Sequence, residues 1–440
     1  MENKLKRIFG LRDLIMIVIG SVIGSGIFIV PAVVLRQAEG SIGVALFVWL
    51  IAGVLSVLGA LTYGELCAMV PEAGGLYVFI RDAFGPLPAF LYGWTMFFVI
   101  SSGAVATLAV AFAGYLNQVF PLDPLLGRIV AVMMIVTIAA INVRGTRNSA
   151  SVQNWTTGIK VGAILIMGTL LLAMGNGLTG TSARLWPESF SLPLLSGIGL
   201  AMVGVLWAYE GWQYLTFSAG ETLDPQRTFA RGIGIGTVVI IGIYLFANVA
   251  YLAALGPTTA AHSERIAADA VSAILGPVAG KFIALAILIS MFSAANGITL
   301  TSSRVYFAMA RDGVFFKRLA EIHPRFDTPA LAITWSSVCA VVLAVSGTFE
   351  QLLTYVVFAG WIFYALGAAS IFVYRRRHPE FHRPFRVPAY PVTPILFILS
   401  AAAIVINTLV SQPERGLVGV AVVLIGTPAF FIWKAKAKRH

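Results

Sequence analysis

Two apolar segments of this chain are interrupted in their middle by residues poor at continuing a helix. The first, Leu14 to Val34, is broken at Gly20-Ser21-Val22-Ile23-Gly24-Ser25-Gly26. The second, Leu194 to Phe217, is broken at Trp207-Ala208-Tyr209-Glu210-Gly211-Trp212. In lipid, unwound backbone persists only where it is buried in protein or lines a polar cavity, because no water satisfies its N–H and C=O groups. Paired breaks in matching positions of two halves therefore point to a binding site for a small polar solute near the bilayer midplane.

The rest of the chain supplies the membrane context. Hydrophobic residues make up 58% of it and charged residues 11%, against a usual ~25% charged. Twelve apolar stretches approach the ~20 residues that span a bilayer. They run approximately over 12–36, 42–69, 87–119, 126–143, 155–176, 194–219, 230–255, 276–309, 329–347, 350–374, 391–411 and 415–434. Lys4, Lys6 and Arg7 precede the first, and no small-residue cleavage site follows it, so no cleaved leader is expected.

The formal charge of +11 is unevenly placed. Counting from a cytoplasmic start, inside loops carry Arg144, Arg147, Arg227, Arg231, Arg311, Lys317, Arg318, Arg325 and Arg375-Arg376-Arg377. The tail adds Lys434, Lys436, Lys438 and Arg439, whereas outside loops hold Arg36, Arg128, Arg184, Arg265, Lys281 and Arg415. This asymmetry predicts a multi-pass protein of the cell membrane with both termini cytoplasmic. The basic clusters are accounted for by topology and membrane lipid, not nucleic acid. Cys67 and Cys339 are too few for a disulfide framework, and none of the five histidines lies within a span, so no metal or cofactor is expected.

The expected fold is all-α. The first ten spans form two sets of five, each opening with a broken helix, which implies an inverted repeat: 1–176, then 177–374. The remainder, 375–440, holds a Pro-rich cytoplasmic loop from Arg375 to Pro394, two further helices and a basic tail. Pro71 to Pro88 reads as a structured connection. The amphipathic stretch Ala260 to Ile274 reads either as an interfacial helix over the outer vestibule or as a connector.

At the first break, glycines let the chain leave helical geometry. The half-helix beginning near Ile27 offers unpaired N–H groups and the positive end of its dipole to an anion, with the Ser25 hydroxyl beside them. Gly20 and Gly24 also fit a plain helix-packing pattern. At the second break the carbonyls of the preceding half-helix lose their partners and can accept from an ammonium. Donors on one break and acceptors on the other read the two ends of an α-amino acid, with Trp207 and Trp212 as an apolar wall or as ordinary packing.

Ile19 to Phe28 resembles the first-helix signature of the amino acid–polyamine–organocation superfamily. Trp207 to Trp212 resembles the sixth-helix motif of its L-type amino acid transporter branch. Gly74-Gly75-Leu76-Tyr77, Asn296-Gly297, Thr301-Ser302-Ser303-Arg304 and Arg377 to Pro384 are similar to further motifs of that branch, in order along the chain. The resemblance implies a LeuT-type fold of ten core helices plus two, and sodium-independent amino acid transport, commonly by exchange. It places the substrate carboxylate at Ser25 and Gly26, beside Gly24. The amine would lie at the carbonyls of Val22, Trp207 and Glu210, around Ala208, with Trp207 as a gate and Trp361 on the side-chain pocket. The mammalian branch joins a heavy chain through a cysteine after the third span. Asn117 to Pro124 contains none, so a monomer without a disulfide-linked partner is expected.

Lys160 is the one basic residue in mid-span. An unpaired charge there is costly, by contested scales about 2.5 kcal/mol or more. The resemblance puts Lys160 where sodium-coupled relatives bind sodium, tying the first helix to the eighth, for example through Gly20 and Ser293. The alternative is a lysine snorkelling to the cytoplasmic face. Glu210 stands where mammalian members carry glycine. It would strengthen ammonium binding, fill space, or cap an N–H of the following half-helix. Glu65 reads as structural and within reach of cytoplasmic water. An enzyme lacks raw material here, since no nucleophile and base pair lies within the spans. A proton-coupled symporter and a non-transporting amino acid sensor remain as alternatives.

Crowding the first break gives a direct test. Ser25→Leu is expected to abolish amino acid uptake while the protein still inserts and folds; unchanged substrate affinity in purified Ser25→Leu would contradict the site assignment.

Overall fold

The computed structural model describes residues 5–179 and 185–437. Lys4, Arg184, Lys438, Arg439 and His440 lie outside the described residues. Sixteen α-helices follow in order: α1 Leu11–Val22, α2 Gly26–Gln37, α3 Ile42–Met69, α4 Leu76–Phe84, α5 Pro86–Thr95, α6 Ser101–Val119, α7 Pro124–Val143 and α8 Thr146–Met174, then α9 Leu192–Ala208, α10 Pro225–His262, α11 Ile266–Leu275, α12 Pro277–Arg311, α13 Ala330–Ser346, α14 Phe349–Arg377, α15 Val392–Ser411 and α16 Pro413–Ala437. No β-strand occurs among the described residues. Ten helical spans are long and apolar enough to cross a membrane, and α1 with α2, bent by 48°, makes an eleventh. The apolar α13 has 17 residues, the lower end of the ~17–25 residue range.

Local chemistry sets the irregular points. The third span is not one uniform helix: α5 and α6 are joined by a π-turn, Met96–Ile100, where the Ser102 hydroxyl donates to the Phe97 carbonyl at 2.6 Å. Helix α10 kinks at Gly256, which adopts φ 69° before Pro257, so its straight part ends where the apolar run does. Of the two readings of the Ala260–Ile274 stretch, a helix forms: α11 buries Ile266, Ala267, Ala270 and Val271, while Arg265 pairs with Asp269 at 3.3 Å. The Pro71–Pro88 connection is ordered by α4 and by the Gly74 N–H donating to the Phe217 carbonyl at 2.9 Å.

Two polar assemblies tie the helix ends together. Glu65 was expected near cytoplasmic water but is fully buried. It accepts from Arg375 at 2.8 and 2.7 Å and from the Val387 N–H at 2.6 Å, because the 378–391 loop folds back over it. The second assembly centres on Arg304 of α12. Its guanidinium donates to both oxygens of Glu221, at 2.6 and 2.9 Å, to Thr146 of α8 at 3.0 Å, and to the Leu300 carbonyl. The Glu221 carbonyl in turn accepts from the N–H groups of Ile8 and Phe9 at 2.8 and 3.0 Å. The segment before α1, the end of the second broken span, α8 and α12 thus meet at one buried ion pair.

Breaking such a pair strands a charge, at about 3–5 kcal/mol, while replacing both partners together is far milder. Glu221→Leu and Arg304→Met are each expected to lower thermal stability in detergent strongly. The double substitution should be clearly more stable than the sum of the singles implies, and strict additivity in melting measurements would refute a coupled pair.

Candidate functional site at the two helix breaks

The first break spans Ile23 to Ser25, between α1 and α2. The second follows α9. Tyr209 and Glu210 close a last turn, Gly211 adopts φ 130°, and Trp212–Glu221 continues as a 3-10 helix, not the α-helical half expected. The breaks pack backbone against backbone. A methyl on Gly26 would stand 2.5 Å from the Ala208 Cα, and one on Gly211 would stand 2.8 Å from the Ser21 carbonyl carbon. Only glycine permits these approaches.

Unwinding frees carbonyls at the end of α1, and neighbouring helices satisfy them. The Lys160 ammonium, from α8, donates to Gly20 at 2.6 Å and to Ile23 at 2.5 Å. The residue is 1% exposed, so its head group does not snorkel. A cation at this end also complements the negative pole of the α1 dipole. Ser290 of α12 donates to the Ile23 carbonyl at 3.0 Å. Ser293, expected beside Lys160, instead accepts from Thr156 at 2.9 Å. The helix registers thus present Ser290, one turn earlier, to the break.

Tyr244 of α10 carries no signal in the sequence that sets it apart from an ordinary aromatic of an apolar helix. Its phenol lies 2.7 Å from the Ala208 carbonyl and 3.1 Å from that of Val22, so it bridges the two breaks. Rings of Trp49 and Tyr209, at 5.3 and 5.0 Å, fix its orientation. The Val22 carbonyl, expected to face a ligand amine, is engaged by Tyr244 here. The Trp207 carbonyl accepts the Glu210 N–H at 3.0 Å.

Ser21, Val22, Gly24, Ser25, Gly26, Trp207 and Glu210 line a common cavity, closed by Leu108, Ala294 and Ile298. Its volume is ≈ 10 Å³, room for about one water. The Trp207 indole N–H donates to the Ser25 hydroxyl at 3.3 Å across it. Ala208 lies behind the cavity, against Gly26. Trp361 is not on the cavity wall: it is buried against Phe397 of α15, with ring centroids 5.5 Å apart.

Glu210 is buried, and its carboxylate accepts from Tyr364 and from Gln213, each at 2.5 Å. Gln213 also donates to the Tyr364 oxygen at 2.8 Å and accepts the Gly211 N–H at 3.2 Å. The capping function considered for Glu210 thus falls to Gln213. A second polar cluster joins α7, α8 and α12. Asn142 donates to Asn296 at 2.9 Å, and Asn296 donates to Gln153 at 3.0 Å.

Removing the Lys160 ammonium leaves the Gly20 carbonyl unpaired, at about 1–3 kcal/mol, while Ile23 keeps Ser290. Lys160→Ala is therefore expected to cut transport strongly and to change half-saturation on one side of the membrane more than on the other. Oriented proteoliposomes provide the measurement; wild-type rates with unchanged values on both sides would show that Lys160 has no part in the cycle.

Comparison with known proteins identifies the family of the chain. Residues 9–430 match the family model described as amino acid permease. The chain is 33% identical over 444 residues to large neutral amino acids transporter small subunit 2 of Rattus norvegicus, covering 99% of this chain and 82% of the relative. It is 31% identical over 441 residues to b(0,+)-type amino acid transporter 1 of Mus musculus, covering 98% and 88%. It is 30% identical over 441 residues to the serine/threonine exchanger SteT of Bacillus subtilis (strain 168), covering 99% and 98%. With broken apolar helices meeting at a buried polar cavity and relatives that match over nearly all of this chain, the chain belongs to the amino acid permease family, in the L-type branch of the amino acid–polyamine–organocation superfamily.

Proposed function

We propose that this protein is a sodium-independent exchanger of neutral L-amino acids, working by alternating access as a monomer in the cell membrane. In this reading twelve spans cross the bilayer, with both termini cytoplasmic. Spans 1–5 and 6–10 form inverted repeats over 1–176 and 177–374, and residues 375–440 carry the remaining two spans. The observation that carries the proposal is the meeting of the two breaks around one cavity. The N-terminal end of α2 and the Ser25 hydroxyl enter it from one side, and Trp207 and Glu210 from the other. The first suits a carboxylate. The carbonyls of Val22 and Glu210 suit an ammonium, with the Tyr244 phenol yielding its hold on Val22. An apolar wall of Leu108, Ala294 and Ile298 suits an uncharged side chain.

The cavity holds about one water, so an amino acid enters only when Trp207 parts from Ser25. That contact would therefore be the gate. The name of one relative, a serine/threonine exchanger, supports the exchange mode, and that of another, a large neutral amino acids transporter, supports neutral cargo. Lys160 supports sodium independence, because its ammonium already occupies the carbonyls of the first break. One observation favours a second reading, proton symport. The Lys160 head group has carbonyl partners and no ion-pair partner among the described residues, an arrangement suited to releasing a proton during the cycle.

Proteoliposomes separate these readings. Replacing sodium by choline should leave initial uptake of labelled serine, threonine or leucine unchanged, and internal unlabelled amino acid should accelerate uptake several-fold. A several-fold loss in choline would overturn sodium independence. Uptake driven by an acid-outside gradient without internal amino acid would replace exchange by symport.

A further inference from the structure

A far larger cavity than the one at the breaks lies on the flank of the bundle. It is a groove of ≈ 700 Å³ between the π-turn Met96–Ile100, α13 and the connection from α12 to α13. Phe97, Phe98, Trp335, Val338 and Leu343 form its apolar walls. The π-turn shifts the helix register there, and π-turns often mark functional places in helices. One end is different in kind. Lys317 and Arg318, on the short 3-10 turn Lys317–Ala320, close it with two cations.

That end lies at the same face of the bundle as the Arg375 assembly. Asp312, just before the groove, accepts from Tyr77 and Arg81 at 2.8 Å, and the neighbouring Asp82 accepts from Tyr374, next to Arg375. Phe316 meets Trp433 of α16 edge-on at 5.0 Å, while the adjacent Lys434 places its ammonium over Phe430 at 5.7 Å. The acid paired with a groove cation is Glu321, 3.6 Å from Arg318, in a pair whose side chains are 81% and 59% exposed. Such a pair is worth little. Lys317 has no ion-pair partner among the described residues.

A concave apolar wall with cations at one end matches an amphiphile with hydrocarbon chains and an anionic head. We propose that this groove seats the acyl chains of one anionic phospholipid and that Lys317 and Arg318 hold its phosphate. Phe97 also packs on Tyr306 of α12 at 4.9 Å, so the lipid would rest against a side chain that braces the helix carrying Ser290.

The test uses the full chain, delipidated in detergent, with phosphatidylglycerol or phosphatidylcholine added and bound lipid counted by native mass spectrometry. Each cation near an anionic lipid is worth about a fivefold preference, and Glu321 offsets part of it. The first phosphatidylglycerol is therefore expected to bind about tenfold more tightly than phosphatidylcholine. Lys317→Glu with Arg318→Glu, both at the surface, should erase the preference, and Val338→Trp should weaken both lipids by filling the groove. Brominated phosphatidylglycerol should quench a part of the tryptophan fluorescence that Trp335→Phe removes. Equal affinity for the two lipids, a preference that survives charge reversal, or quenching unchanged in Trp335→Phe would each overturn the proposal. So would a doubled mass that excludes lipid, which would make the groove a seat for a second copy of the chain.

Discussion

A carbonyl freed in the middle of an apolar bundle costs several kcal/mol unless something donates to it. This fold answers that constraint at the end of α1 with three side chains from three helices. Lys160 of α8 takes the Gly20 and Ile23 carbonyls, Ser290 of α12 shares Ile23, and Tyr244 of α10 takes Val22. Each bond lets the chain stay unwound, and each ties the break to a different neighbour. These bonds add to the apolar contacts by which α1 packs against α8, α10 and α12.

Charge inside the bundle is handled in two distinct ways. Arg304 and Glu221 form a buried bidentate pair, and the guanidinium finds further acceptors in Thr146 and the Leu300 carbonyl, the kind of added hydrogen bonding that makes burial of two ions tolerable. Lys160 and Glu210 instead face neutral partners, carbonyls for one and a phenol and an amide for the other. The first arrangement is an ion pair joining the segment before α1, the end of the second broken span, α8 and α12. The second has no ion-pair partner for either group among the described residues, and both members lie beside the breaks.

Much of this was legible in the residues. A glycine cluster inside an apolar run has few interpretations in lipid, so the first break was readable to within about three residues, and the second was found by its Trp207 to Trp212 motif. Lys160 stood out because nothing else basic occurs in mid-span. Tyr244 did not stand out, because a tyrosine in an apolar helix looks the same whether its hydroxyl bridges two carbonyls or reaches an interface. The choice between Ser290 and Ser293 turns on helix rotation, which a pattern of small residues does not resolve. The burial of Glu65 depends on residues more than three hundred positions later, Arg375 at the end of α14 and Val387 in the loop that follows it. Trp361 turns toward Phe397 of α15, and which face of a helix meets an added C-terminal span is not set by the helix's own residues.

The approach of Gly26 to Ala208 and of Gly211 to Ser21 means that the two breaks meet through main chain. On the reading proposed here, the groups common to every amino acid would be recognised chiefly by peptide atoms that no substitution can delete. What distinguishes one amino acid from another would fall to a few wall positions, Leu108, Ala294, Ile298 and Glu210 among them. Such a division lets substrate range drift over evolutionary time without rebuilding the recognition of the α-carbon groups. It makes those wall positions the economical place to redirect the protein toward a new cargo by design.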